Sequence, residues 1–140
     1  IGYLLSDNPG KIAKLENDWY DTGDIVNIDK SGYIKIKGRA KRFAKIGGEM
    51  ISLTAVENYL IALWPQNNHA VISIKDPKKG EQLILFTNEK NADRKEILSY
   101  FKKNGISELS LPKEIKIIEE LPLLGTGKTD YISLNNKIRL

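Results

Sequence analysis

The most informative absences in this 140-residue chain are cysteine, of which there is none, and histidine, of which there is only one, His69. Without cysteine the chain forms no disulfide and no thiolate metal site, so a secreted disulfide scaffold is excluded. A single imidazole excludes a histidine-rich metal centre and a two-histidine relay, and we expect no metal site. No apolar run approaches the ~20 residues that span a bilayer, so we expect this segment to make no membrane contact.

The remaining composition is that of a folded domain, with 41% hydrophobic and 29% charged residues and a net charge of +4. The length suffices for one compact domain, or for one domain and a piece of another. The positive charge favours anionic partners but falls short of a nucleic-acid-binding arm, so we expect no nucleic-acid partner. The chain starts at Ile1 without a signal-peptide pattern, and we expect an intracellular piece of a longer protein.

The first third of the sequence predicts little regular structure apart from one hairpin. Residues 1–18 carry turn signals and no periodic pattern, which indicates an irregular lead-in. Strands follow at 25–28 and 33–37, joined by a short turn. The second strand alternates isoleucine with lysine, which predicts one apolar and one basic face. The basic face includes Arg39 and Lys41 if the extended backbone continues that far.

From residue 43 the pattern is that of a small domain of strands and helices. The predicted helices start at Thr54 and end before Pro65, cover 93–103 with Asp93 and Glu96 as caps, and begin at about Asp130. The predicted strands form a hairpin around Gly47-Gly48 and lie at 70–75, 82–87 and 115–118. Thr54 and Glu57 have capping-box spacing, so we assign Glu57 to helix capping. This order predicts an α+β fold, a small sheet covered by helices and preceded by the hairpin, with a domain boundary between 1–41 and 42–140.

Two clusters of residues could bind a nucleotide. Asp24 follows a Thr-Gly turn, and a carboxylate there can accept hydrogen bonds from two ribose hydroxyls. The simpler interpretation is that Asp24 closes a turn. Arg39 could fork onto ribose or phosphate oxygens, although a solvated basic face explains it equally simply.

A third cluster, Gly125-Thr126-Gly127-Lys128-Thr129, could carry a catalytic charge. Its glycines allow the backbone to approach a ligand, and Lys128 could deliver a point charge to a developing oxyanion. A phosphate-binding P-loop is excluded, because Pro122 stands where that motif requires its first glycine. The simpler interpretation is a surface turn with an exposed lysine.

In this order and spacing the three clusters resemble the C-terminal part of the acyl-adenylate-forming superfamily, which includes acyl-CoA synthetases, luciferases and nonribosomal adenylation domains. Residues 20–24 resemble its Y-x-T-G-D motif, residues 38–51 its G-R-x-[DK] hinge motif with the glycine loop that follows, and residues 122–128 its P-x-x-x-[ST]-G-K motif. Residues 38–57 and 121–131 further resemble a bacterial subfamily of bifunctional 2-acylglycerophosphoethanolamine acyltransferase/acyl-[acyl-carrier-protein] synthetases.

The resemblance implies a two-step reaction. ATP and a fatty acid give an acyl-adenylate and pyrophosphate, and a phosphopantetheine thiol then takes the acyl group. Residues 1–41 would end the large adenylation domain, and residues 42–140 would form a lid, the small domain that rotates between the steps. Asp24 would bind the ribose hydroxyls of the nucleotide, with Arg39 beside it as a second nucleotide-binding residue. Lys41 would be the hinge, Gly47 and Gly48 would line the route of the pantetheine arm, and Lys128 would be the catalytic residue.

The same resemblance implies ATP and Mg²⁺ as cofactors, bound mainly by the large domain. The implied partners are that domain of the same chain, a fatty acid, and an acyl carrier protein or CoA, at the cytoplasmic side of a bacterial inner membrane. Asp21 and Met50 depart from the superfamily, many of whose members carry a basic residue there, but they agree with the closer subfamily.

Three alternatives stay open. They are the lid of another fatty acyl-CoA synthetase, a non-catalytic domain that docks an acidic carrier protein, and a stand-alone module that binds phosphate or nucleic acid. The last lacks the aromatic residues that accompany basic stripes in nucleic-acid sites.

Overall fold

The chain folds into two compact units, Ile1–Ala40 and Lys41–Leu140. The computed structural model describes residues 2–5, 8–14 and 19–138. The division between the units lies one residue from the boundary expected from the sequence. Which parts of a larger enzyme the two units represent stays a prediction.

The described residues of the first unit form two antiparallel hairpins rather than one. Strands β1 (Gly2–Leu5) and β2 (Asn8–Lys14) form the first, so the irregular lead-in was wrong for these residues. The turn signals mark an irregularity within β2, because Leu4 pairs with Ile12 whereas Leu5 pairs with Asn8. The rest of that prediction, at 6–7 and 15–18, falls outside the described residues.

The second hairpin, of β3 (Asp24–Ile28) and β4 (Ile34–Arg39), confirms the predicted strands. Its register shifts between Ile25 and Val26, which pair with Gly38 and Ile36, so Lys37 is an extra residue. The extended backbone ends at Arg39, and a 3-10 turn follows over Ala40–Arg42. The predicted basic face therefore does not reach Lys41.

The second unit has the predicted α+β fold. Its elements are β5 (Phe43–Ile46), β6 (Glu49–Ser52), α1 (Leu53–Leu63), β7 (His69–Asp76), β8 (Gly80–Thr87), α2 (Arg94–Lys103), β9 (Glu114–Ile117) and α3 (Tyr131–Asn136). The sheet order is β6-β5-β8-β7, and β9 pairs in parallel with β8. Strand β7 pairs only with β8 among the described strands, so its other side is an open edge.

Alternating residues of β7 and β8 build two cores, one on each face of the sheet. Val71, Leu83 and Leu85 pack with the buried side chains of α1 and α2. Ala70, Ile72, Ile84 and Phe86 pack with Leu134 of α3. The helices thus cover both faces of this ladder, which makes it the rigid frame of the domain.

The helix starts differ in part from the sequence pattern. Helix α1 begins at Leu53, and its cap is Ser52, whose hydroxyl accepts a hydrogen bond from the Ala55 amide at 3.2 Å. The predicted capping box was therefore wrong, and the Glu57 carboxylate instead contacts Val71 and Arg42. The predicted capping of α2 by Asp93 was also wrong, because the Asp93 side chain makes no capping bond. Helix α3 starts directly after Asp130, as predicted, and the Asp130 side chain caps it.

His69, at the start of β7, is held in one neutral form by two buried hydrogen bonds. Its Nε2 lies 3.1 Å from the Trp64 carbonyl oxygen, which only accepts, so Nε2 carries the proton. Nδ1 accepts from the Thr87 hydroxyl at 2.9 Å. Burial lowers the pKa of His69 below its ordinary 6.5, and the weaker opposing effects of the Trp64 carbonyl and nearby carboxylates do not cancel it.

This arrangement predicts a specific pH dependence of stability. Below about pH 6.5 the unfolded chain protonates His69 while the folded chain resists it, so the free energy of unfolding falls as the pH drops. Urea unfolding of the wild type and of His69→Gln at pH 7.5 and pH 5 measures this. We expect a steeper loss for the wild type, and equal losses would contradict a neutral buried His69.

Candidate functional site

Asp24 and Arg39, which the family resemblance implies to be neighbouring nucleotide ligands, lie together in the first unit. They are directly paired across the β3–β4 ladder, and Arg39 Nε lies 3.0 Å from Asp24 Oδ1. Arg39 Nη1 also donates to the Thr22 carbonyl at 2.7 Å. The Asp24 side chain is 21% exposed and that of Arg39 is 65% exposed, so a ligand can reach both. Asp24 begins a strand, and the turn before it is held by Asp21, whose Oδ1 accepts from the Gly23 amide at 2.8 Å.

Lys41 and the two glycines lie at the beginning of the second unit. Lys41 is its first residue, in the 3-10 turn, and its side chain is exposed. Gly47 and Gly48 form the two-residue turn between β5 and β6, with φ of +58° and +91°. Positive φ at both positions favours glycine. A Cβ added at Gly48 would meet nothing within 4 Å, so the space beside this turn is open.

Lys128 lies on an exposed loop, as predicted, but the loop is more ordered than its glycines suggest. The Leu124 amide donates to the Lys128 carbonyl at 2.7 Å, and the Gly127 amide donates to the Leu124 carbonyl at 2.8 Å. Leu123 and Thr129 also form a bridge. The loop is thus a small closed hairpin, and Lys128 is exposed beside the Leu123–Thr129 bridge that closes it.

The two loops of the second unit lie at opposite ends of the β7–β8 ladder. The Gly47 amide donates to the Lys79 carbonyl at 2.9 Å, in the turn that joins β7 to β8. Gly127 and Thr129, the neighbours of Lys128, line a groove with His69 and Asn88 at the other end. Seven steps along β7 separate these ends by about 23 Å.

A buried ionic cluster that was not predicted from the sequence lies along β7, between the two ends of the ladder. Glu57, 8% exposed, pairs through Oε2 with Arg42 Nη2 at 2.7 Å. Its Oε1 accepts from the Val71 amide at 2.8 Å, and Arg42 Nη1 donates to the Val71 carbonyl at 2.9 Å. Together the two side chains bond the backbone groups that an edge strand otherwise leaves unpaired.

Tyr131, the first residue of α3, completes the cluster. Its hydroxyl donates to Glu57 Oε1 at 3.1 Å, and its ring lies under the Arg42 guanidinium with 3.9 Å to the ring centroid. Burial, reinforced by the Glu57 charge, raises the pKa of the Tyr131 hydroxyl. It therefore stays protonated, as a donor, at neutral pH.

One signal in the sequence could have located this cluster. The buried residues of α1 are Leu53, Val56, Glu57 and Leu60, at the spacing of a single helical face. Glu57 thus occupies an apolar position, where a carboxylate requires a partner. The positions of Arg42 and Tyr131, far along the chain, could not be inferred from that spacing.

Within the described residues no cluster of three or more His, Cys, Asp or Glu side chains could hold a metal ion. In the same residues, no helix is both long and apolar enough to cross a bilayer.

Comparison with known proteins identifies this architecture. Residues 55–128 match the family model of the AMP-binding enzyme C-terminal domain. The chain is 30% identical over 139 residues to the 2,3-dihydroxybenzoate-AMP ligase of Bacillus subtilis, covering 98% of the chain and 26% of the relative. It is 31% identical over 144 residues to the medium-chain fatty-acid–CoA ligase of Escherichia coli, covering 99% of the chain and 25% of the relative. The chain therefore spans about a quarter of these relatives.

Solved structures of related proteins have the same fold. A Mycobacterium tuberculosis fatty acyl CoA synthetase is 30% identical with a TM-score of 0.65, covering 88% of this chain and 25% of that one. ATP-bound MatB from Rhodopseudomonas palustris, 23% identical, shares the fold with a TM-score of 0.67 over 84% of this chain and 24% of its own.

The buried pair predicts a large stability effect with an internal control. Glu57→Ala leaves the Arg42 charge and the Val71 amide without their partner, so we expect about 3 kcal/mol or more of lost unfolding free energy. Glu108→Ala breaks the exposed Lys102–Glu108 pair, whose side chains are 61% and 64% exposed, and should cost under about 1 kcal/mol. Urea denaturation of both variants measures the difference, and similar losses would contradict the role of burial.

Proposed function

Because this chain belongs to the AMP-binding enzyme family through its C-terminal domain, we propose that it is the C-terminal part of an adenylate-forming acid–thiol ligase. The single observation that carries the proposal is the placement of Lys128 and Gly47-Gly48 at opposite ends of one rigid ladder. A domain built in this way can present one of its ends to a reaction centre in the first step and the opposite end in the second step.

In the first step, a fatty acid carboxylate attacks the α-phosphate of ATP, and pyrophosphate leaves. Lys128 presents its ammonium group to the negative charge that develops between carboxylate and phosphate. Asp24 accepts hydrogen bonds from the ribose hydroxyls, and Arg39, 3.0 Å from it, orients that carboxylate. The described residues do not fit Mg²⁺, since they contain no acidic cluster for it, so we assign its binding to the large domain.

In the second step, the lid turns about Lys41 and presents the Gly47-Gly48 turn. The open space beside Gly48 suits the passage of a pantetheine arm. Lys41 suits a hinge because it is the first residue of the second unit and is exposed in a short 3-10 turn. A change of backbone angles there alters which end of the domain is presented.

An exposed apolar face supports a large partner domain in the same chain. Val26 pairs with Ile36 and Ile28 with Ile34 across the β3–β4 hairpin, so the four side chains share one face. They are 42% to 67% exposed. Such a patch is typical of a surface that another part of the protein covers, and the chain spans only a quarter of its relatives.

For the acyl acceptor we propose the phosphopantetheine thiol of an acyl carrier protein, with CoA as the alternative. The support is the resemblance of residues 38–57 and 121–131 to bifunctional 2-acylglycerophosphoethanolamine acyltransferase/acyl-[acyl-carrier-protein] synthetases, and a net charge of +4 that suits an acidic carrier. This identity would place the whole protein in phospholipid metabolism at the cytoplasmic side of a bacterial inner membrane. Thioester formation assayed with each acceptor separates the two.

The Lys128 assignment predicts a split between the half-reactions. In the full-length enzyme, Lys128→Ala should lower acyl-adenylate formation on the order of 10²–10³-fold. Transfer from supplied acyl-adenylate to the thiol should stay near wild type, because Lys128 is then turned away. Lys103→Ala, which removes an exposed lysine of α2, should change neither step. Equal loss of both steps in Lys128→Ala would overturn the assignment.

A further inference from the structure

We propose that Arg42, Glu57 and Tyr131 form a positioning cluster that fixes the Lys128 loop relative to the chain segment next to Lys41. The inference rests on the proposed function, and it assigns to these three residues a role in one half-reaction only. None of them contacts substrate in this role, since they act through the backbone that carries Lys128.

The cluster connects directly to the hinge side of the domain. Arg42 follows Lys41 in sequence and is held by three contacts: the Glu57 carboxylate at 2.7 Å, the Val71 carbonyl at 2.9 Å and the Tyr131 ring at 3.9 Å. Glu57 and Val71 belong to α1 and β7, which form part of the rigid frame. The chain is therefore anchored to the frame one residue after the hinge.

The same cluster connects to the catalytic loop. Tyr131 lies three residues after Lys128, and its hydroxyl bonds Glu57 Oε1 at 3.1 Å. Between them, the Asp130 amide donates to the Pro122 carbonyl at 2.8 Å, which closes the base of the loop. Leu123 and Leu124 of the loop are 61% and 47% exposed, so the packing of their side chains contributes little to its position. The position of Lys128 then depends on how the base of the loop is held.

Stability alone does not require this polar arrangement. Apolar residues of similar volume in place of a buried ion pair are often as stable or more so. What the polar cluster adds is direction, because hydrogen bonds have preferred angles and apolar contacts have none. The directional bonds here are those of Arg42 Nη1 and Glu57 Oε1 to Val71 and of the Tyr131 hydroxyl to Glu57 Oε1, whereas Arg42 Nη2 and Glu57 Oε2 form a close ion pair. A reacting group needs that precision, since a misplacement of about 1 Å can lower a rate 100-fold.

The test uses Tyr131→Phe in the full-length enzyme. This change keeps the ring under Arg42 and removes only the hydroxyl, which bonds Glu57 Oε1 and also interacts with the Thr129 side chain. We expect acyl-adenylate formation to fall by roughly 10- to 100-fold, with thiol transfer from supplied acyl-adenylate unchanged. Tyr100→Phe, the same change on α2 outside the cluster, should leave both steps unchanged. Arg42→Lys, which keeps the charge but loses the planar fork, should repeat the split.

A second readout does not depend on activity. In the 140-residue chain, Tyr131→Phe should shift the amide NMR signals of Gly127 and Lys128, and Tyr100→Phe should not. If the full-length wild type adenylates no acid, the proposed function fails while these shifts still test the cluster. Unmoved amide signals, or equal loss of both half-reactions with a lowered melting temperature, would overturn the positioning role.

Discussion

The buried carboxylate of Glu57 is the constraint on which the second unit depends. A carboxylate on the apolar face of α1 is unfavourable unless it is paired, and here Oε2 forms an ion pair while Oε1 accepts two hydrogen bonds. These contacts reach the guanidinium of Arg42, the edge of β7 at Val71 and the first residue of α3, Tyr131. One side chain thereby joins the start of the domain, the open edge of its sheet and its last helix.

That junction matters because the two loops to which we assign the two reaction steps lie at the two ends of the frame. The Gly47-Gly48 turn is bonded to the turn between β7 and β8, whereas the Lys128 loop lies by the ends of those strands near His69. A ladder packed on both faces transmits orientation without bending. In the function that we propose, a rotation near Lys41 would then exchange one loop for the other as a rigid-body movement between the two steps.

Much of the frame could be predicted from local sequence, and the site only in part. Short apolar runs on either side of a turn located β7 and β8, and the two glycines located the turn between β5 and β6. These features depend on neighbours in sequence. The pairing of Asp24 with Arg39 depends on a hairpin register that includes a bulge at Lys37, which the alternation of isoleucine and lysine does not reveal. Glu57 was assigned to capping because its partners lie 15 and 74 residues away.

The most direct measurement is a double-mutant cycle on the 140-residue chain with Arg42→Ala, Glu57→Ala and both together. If the carboxylate and the guanidinium support each other, each single change leaves one buried charge unpaired, and the second change adds little. The unfolding free energies should then show a coupling of about 2 kcal/mol or more. Additive losses, with coupling below about 0.5 kcal/mol, would contradict the central position of Glu57.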